Sequence, residues 1–168
     1  SSKISPSIFE TNPFLIDNKN TTLIEYSAFF GSFQIFQYFL MNNAELTPSL
    51  WLYAIHSKNP EIIHLLETNE VPPPKNYDQC LIESIKCHHN DVSEYIENNL
   101  IDQSEKSLHQ TNDEIISNCI KYHNYSYFQI DAIVEHGFFY LCFYHYDKLF
   151  TLLKKKKEKL IENKIKQY

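Results

Sequence analysis

The densest group of metal-capable side chains is Cys87-His88-His89, with Cys80 seven residues upstream. A structural zinc site needs four donors converging on one point. The four cysteines, Cys80, Cys87, Cys119 and Cys142, form neither a CxxC knuckle nor a dense disulfide framework. In a helical register Cys87 lies on a helix, His88 at its C-terminal break and His89 in the turn. The helix dipole favours imidazole there, so no metal site is expected. Cys119 with His123 and Cys142 with His145 have the residue types of a thiol nucleophile and its base. Nucleophilic chemistry also needs an orienting group and an oxyanion donor, and no such set can be assembled. Both histidines fall at equivalent places in a helical repeat, as a structural motif would. Glu61, Asp91 and Glu94 fall near helix starts, where carboxylates stabilise the dipole. No catalytic residue, metal or cofactor is expected, and the chain is read as a non-enzyme.

Composition narrows the classes further. Only Gly31 and Gly137 are glycine, too few for a loop that cradles phosphate. All 15 basic residues are lysine; sequence-specific nucleic-acid recognition leans on the bidentate arginine fork, so no specific nucleic acid is expected. Residues 154–168 hold seven lysines and two glutamates, a net of +5. The rest of the chain holds eight lysines against nineteen acidic residues, a net of −11. An acidic body of this kind favours basic partners over nucleic acid. The run Lys154, Lys155, Lys156 and Lys157 is either a solvated helical face or a weak contact for anionic groups. The chain opens on Ser1-Ser2 and reads as part of a longer protein. No basic-then-apolar leader pattern and no apolar run of membrane-span length is present, and a cytoplasmic protein is expected.

The elements that must position these residues are helix pairs. Thr22 through Leu40 forms a short apolar helix, a break at Gly31 and a second amphipathic helix. The design recurs at Ala54–Leu66, at Ser84–Ile96, from Cys119 to Tyr125, and at Leu141–Leu153. Each copy opens on a small or compact residue (Ser27, Ala54, Ser84, Cys119, Leu141) that lets neighbouring helices approach. Four residues on, the chain breaks at Gly31, Lys58, His88, His123 and His145, where a left-handed conformation is expected. Asn59, Asn90 and Asn124 follow as candidate caps. The second helices carry core-facing sets: Ile35-Phe36 with Phe39, Ile62-Ile63 with Leu66, and Leu149-Phe150 with Leu153. Residues 125–136 lack such a set, so the fourth copy is irregular.

This pattern resembles the ankyrin repeat, whose T-P-L-H-x-A-A-x-x-G-H-x-x-I-V-x-x-L-L run is matched best by Thr22 through Leu40, and it is similar to the divergent, Tyr- and Asn-rich ankyrin proteins of protists. The resemblance covers roughly residues 12–153 and implies an all-α solenoid of about five helix-turn-helix repeats. Asp17–Thr22 resembles the turn at a finger tip. In such stacks the two residues before each break face a concave groove. The residues so placed are Phe29 and Phe30, His56 and Ser57, Lys86 and Cys87, Lys121 and Tyr122, and Phe143 and Tyr144, with Tyr26 and Tyr53 adding to the same face. The rings either anchor a partner protein or pack on the next repeat. The implied function is protein–protein interaction, or burial as a structural subunit of a larger assembly.

The organisation expected is an extension and finger-like loop over 1–21, the solenoid over 22–153, and a lysine-rich helix or cap over 154–168. Val71-Pro72-Pro73-Pro74 is a stiff connector, and 98–112 is a polar loop.

Overall fold

A computed structural model describes residues 3–5, 7–18, 20–101, 112–127 and 137–165. The described chain is all-α. The helices are α1 (Pro13–Asp17), α2 (Leu23–Phe29), α3 (Phe33–Met41), α4 (Leu50–Ser57), α5 (Pro60–Thr68), α6 (Tyr77–Lys86), α7 (Asn90–Tyr95), α8 (Asn112–Lys121), α9 (Phe138–Phe143) and α10 (Asp147–Ile165). A π-helical turn, Ile96–Leu100, extends α7.

The left-handed break is present at all five expected positions. Gly31, Lys58, His88, His123 and His145 have φ of 64, 56, 59, 60 and 59°. Around four of them the last-turn carbonyls are closed by amides five residues on, Ser32 to Ser27, His89 to Ser84, Asn124 to Cys119 and Tyr146 to Leu141, at 2.8–3.0 Å. This is the Schellman arrangement, which uses orphan carbonyls at a helix end. Between Ala54 and Asn59 the Ser57 hydroxyl instead donates back to the Ala54 carbonyl at 2.8 Å. The second helices α3 and α5 end the same way, through left-handed Asn43 and Glu70.

The small residue of each copy is buried: Ser27, Ala54, Ser84, Cys119 and Leu141 are each 5% exposed or less. Their helices therefore lie against one another in chain order, α2 on α4, α4 on α6, α6 on α8 and α8 on α9. α3 packs on α2 and α5, α5 on α4, α7 on α6, and α10 on α9, which puts the second helices on the outside of the row. Among the described residues the core runs from Leu15 through Phe36, Trp51, Ile62, Leu66, Leu81 and Ile85 to Cys119. A second cluster joins Ile116, Ile120, Leu141 and Leu153.

Local chemistry explains the ends. Thr22 and Glu25 form a reciprocal capping box on α2, and the buried Glu25 carboxylate also accepts from Thr47 and Ser49 just ahead of α4. Asn59 caps α5 with Pro60 at its first position. Trp51, fully buried, donates its indole N–H to the Val71 carbonyl at 2.7 Å, which pins the start of the proline connector.

Four expectations change. Ile35 is 53% exposed while Phe36 is buried, so the core-facing set of α3 is Phe36 with Phe39. Asn90 is the first residue of α7 and not its cap, and it accepts from the Asn124 amide across two copies; the helix that Asn124 is expected to cap lies outside the described residues. The lysine run does not begin a new element. α10 passes unbroken through Leu153 and Lys154, since no glycine, proline or capping residue interrupts it and lysine is a good helix former. The polar segment after Ile101 ends where α8 starts at Asn112. Residues 102–111 and 128–136, and the side chains of Leu160, Ile161 and Ile165, lie outside those described.

Candidate functional site

The residues before each break lie at the C-terminal ends of the inner helices, and their environments differ. Phe30 and Phe143 are 55 and 63% exposed. Tyr26 packs its ring on Phe30 at 4.8 Å, and Phe143 packs edge-on against Tyr144 at 5.1 Å. Lys121 holds its ammonium 5.1 Å from the Tyr122 ring centroid. These residues remain open to a second molecule. Tyr53 does not. It is 4% exposed, its hydroxyl is hydrogen-bonded with Thr21 at 3.0 Å, and burial raises its phenol above the ordinary range, Thr21 opposing and Glu25 adding. Tyr53 belongs to the core and is withdrawn from the binding face.

Phe14, a residue the sequence reading passed over, causes that difference. Asn12 accepts from the Phe14 amide and Pro13 fixes the first helical position, which sets α1. The Ile4 amide donates to the Thr21 carbonyl at 2.7 Å, tying the N-terminal segment to the loop before α2. The Phe14 ring then lies 5.9 Å from Phe29, 4.9 Å from Tyr53 and 4.1 Å from His56. The first two copies of the face are thus partly covered by the chain itself. The only advance signal was an apolar Pro-Phe-Leu-Ile run behind Asn12.

The middle of the face is polar. His56 Nε2 lies 2.9 Å from Glu83 Oε1, and Lys86 donates to the same carboxylate at 3.1 Å. Burial pushes the Glu83 carboxyl up, but the His56 hydrogen bond and Lys86 together outweigh it and hold the group below the ordinary carboxylate range. Cys87 Sγ lies 3.5 Å from His56 Nδ1 and 3.8 Å from Nε2. Burial, with Glu83 adding and Lys86 opposing, pushes its thiol up to about 12. A thiol held in that form is a poor nucleophile. Glu83 was not among the sequence candidates; it sits one helical turn before Cys87 and meets a histidine 27 residues away only because α4 packs on α6.

The constellations weighed from sequence are dispersed. Cys80 is fully buried. His88 donates from Nε2 to the Tyr122 carbonyl and His89 from Nδ1 to the Ile55 carbonyl, both at 2.8 Å. Cys119 is buried and burial raises its thiol to about 12, whereas His123 bonds the Tyr146 hydroxyl at 3.0 Å.

No family model, curated protein or solved structure matches the chain.

Elsewhere, a cleft between α5 and α7 is lined by Lys58, Ile63, Glu67, Asp91 and Tyr95. It is bordered by the Lys58–Asp91 pair at 3.0 Å and the Tyr95–Glu67 hydrogen bond at 2.7 Å. Lys154 and Lys155 are exposed on α10; the side chains of Lys156 and Lys157 lie outside those described. No helix among the described residues is long and apolar enough to cross a membrane.

Proposed function

We propose that the chain is an ankyrin-like solenoid that binds another protein on the face of its inner helices. One observation carries this reading: Phe30 and Phe143, each among the two residues before a left-handed break, are both more than half exposed. Exposed rings cost solubility unless something covers them, and aromatic anchors dominate binding energy at interfaces. Tyr26, Tyr122 and Tyr144 flank them, with Lys86 and the His56–Glu83 pair between. The net charge of −11 outside residues 154–168 favours a basic partner segment. The recurring left-handed break and the row of inner helices support the ankyrin-like part, and the face offers binding rather than catalysis.

The test is comparative capture. Immobilised wild-type chain and a Phe30→Ala/Tyr122→Ala/Phe143→Ala variant are exposed to lysate of the native cell, and partners are identified by mass. With about 2 kcal/mol per hot-spot ring, the variant should lose its partner while circular dichroism stays helical. Equal capture by both would remove the face from consideration.

A second reading, a structural subunit of a larger assembly, is favoured by the exposed stripe Ile35, Tyr38 and Met41 on the outer side of α3. A well-behaved monomer on gel filtration speaks for the binding module. Self-association relieved by Tyr38→Ser and Met41→Ser speaks for the subunit.

A further inference from the structure

The sequence places Cys87 beside His88 and His89, but the fold turns both histidines to backbone carbonyls and brings Cys87 to His56 and Glu83 instead. We propose that His56, Glu83 and Cys87 form a site for a borderline-soft divalent cation of the Zn²⁺ class, pinning α4 to α6. Their donor atoms, one imidazole nitrogen, one carboxylate oxygen and one sulfur, all lie within 4.8 Å of one another. His56 Nε2 faces both partners, at 2.9 Å from Glu83 Oε1 and 3.8 Å from Cys87 Sγ. Metal–ligand bonds of roughly 2.0–2.3 Å set tetrahedral ligand–ligand edges of roughly 3.3–3.7 Å. The two imidazole edges therefore need to change by only tenths of an ångström, and the carboxylate–sulfur edge, within 4.8 Å, to close to roughly 3.5 Å.

The donor chemistry chooses the ion. Hard Mg²⁺ and Ca²⁺ take oxygen ligands, whereas imidazole with thiolate suits Zn²⁺ and its spectroscopic substitute Co²⁺. His56 and Glu83 have side chains only 13 and 14% exposed, so the ion is shielded from bulk water. Three protein ligands leave a fourth position for water. As the metal–sulfur bond forms, the Cys87 proton leaves to solvent, and Lys86, which is exposed, releases Glu83. The rings of Phe14 and Phe29 against His56 hold the imidazole in place. Because the ligands come from two successive helix pairs, the ion binds the folded stack and not the unfolded chain.

The experiment uses the full chain, stripped with chelator and titrated with Co²⁺ and Zn²⁺. The expected result is one equivalent of Co²⁺ with a sulfur-to-cobalt charge-transfer band. The band disappears in Cys87→Ser, weakens in Glu83→Gln and persists in Cys142→Ser, the exposed thiol. Zn²⁺ at about a hundredfold over its dissociation constant should raise the melting temperature by roughly 5–10 °C, and Mg²⁺ should not. Absence of the band in wild type, its survival in Cys87→Ser, or its loss in Cys142→Ser overturns the site. Prolonged alkylation of the wild-type chain decides independently of how the variants fold. Zn²⁺ must protect Cys87 and leave Cys142 reactive; equal alkylation of Cys87 with and without Zn²⁺ overturns the proposal.

Discussion

The side-chain amide of Asn124 donates to the carbonyl of Ile85 at 2.9 Å, and His89 Nδ1 donates to the carbonyl of Ile55 at 2.8 Å. The two donors occupy one register position, the first residue after a left-handed turn. The two acceptors also share a position, three residues before the left-handed turn of the preceding pair. At His88 and His123 the left-handed residue thus does two things: it ends its own helix, and it swings the next side chain onto the neighbour's backbone. The row of inner helices is tied by these bonds as well as by apolar packing.

Asn124 is fully buried and also donates to Asn90 Oδ1 at 2.7 Å. Replacing it with alanine removes both hydrogen bonds, the one to Ile85 fully buried, and should cost about 2 kcal/mol. Denaturant titration reads this as a lower midpoint at unchanged slope. His89→Gln, which keeps an N–H donor, should lose less than His89→Ala; equal losses would mean the bond to Ile55 contributes nothing.

The left-handed positions give a prediction with opposite signs at two sites. A Cβ on Gly31 would stand 3.4 Å from Ser57 Cβ, an ordinary contact, so Gly31→Ala should cost about 1 kcal/mol through its φ of 64° alone. Lys58 already carries that strain, and its pairing with Asp91 is solvent-exposed and worth little. Lys58→Gly should therefore stabilise by about 0.5 kcal/mol, the relief of left-handed strain exceeding the added freedom of the unfolded chain. Destabilisation by Lys58→Gly would show that the ion pair outweighs the strain.

The break positions were legible because a repeated spacing exposed them even where histidine or lysine stands for glycine. The buried small residues were legible for the same reason. The site was less so. Glu83 and His56 are unremarkable in their own segments and become neighbours only when α4 packs on α6, a contact that no spacing within one copy reveals. Tyr53 was misread because groove position was inferred from register alone, without Phe14, which belongs to no repeat. Ile35 failed because a helix period of 3.6 cannot by itself choose between adjacent apolar residues.

Thiol reactivity follows from burial. Cys142 is exposed, Cys87 half-buried, and Cys80 and Cys119 buried. Burial leads the rise of the last three to about 12, which leaves on the order of one thiol in ten thousand ionised at pH 8. A raised pKa means less thiolate, hence slower attack. An aromatic disulfide reagent at pH 8 should thus release one fast equivalent, removed by Cys142→Ser, with half-buried Cys87 following slowly and Cys80 and Cys119 only on unfolding in denaturant. Two fast equivalents in the native state would contradict the packing of α6.

Unfolding should begin at the C-terminal end. Among the described residues, Ile116, Ile120, Leu141 and Leu153 form a cluster of their own, apart from the core that holds Trp51. α8 divides between them, giving Cys119 to the larger core and Ile120 to the smaller. A stack with nearest-neighbour coupling opens first where the interface is smallest. Trp51 is the chain's single tryptophan, buried edge-on against Tyr77 at 5.2 Å, so its emission follows only the larger core. In a urea titration the helical signal should begin to fall before tryptophan emission shifts. Leu141→Ala, at a cost of about 3 kcal/mol, should move the early phase to lower urea and leave the tryptophan midpoint nearly unchanged. Coincident transitions in wild type and variant would instead mean that α8 couples the two clusters into one cooperative unit.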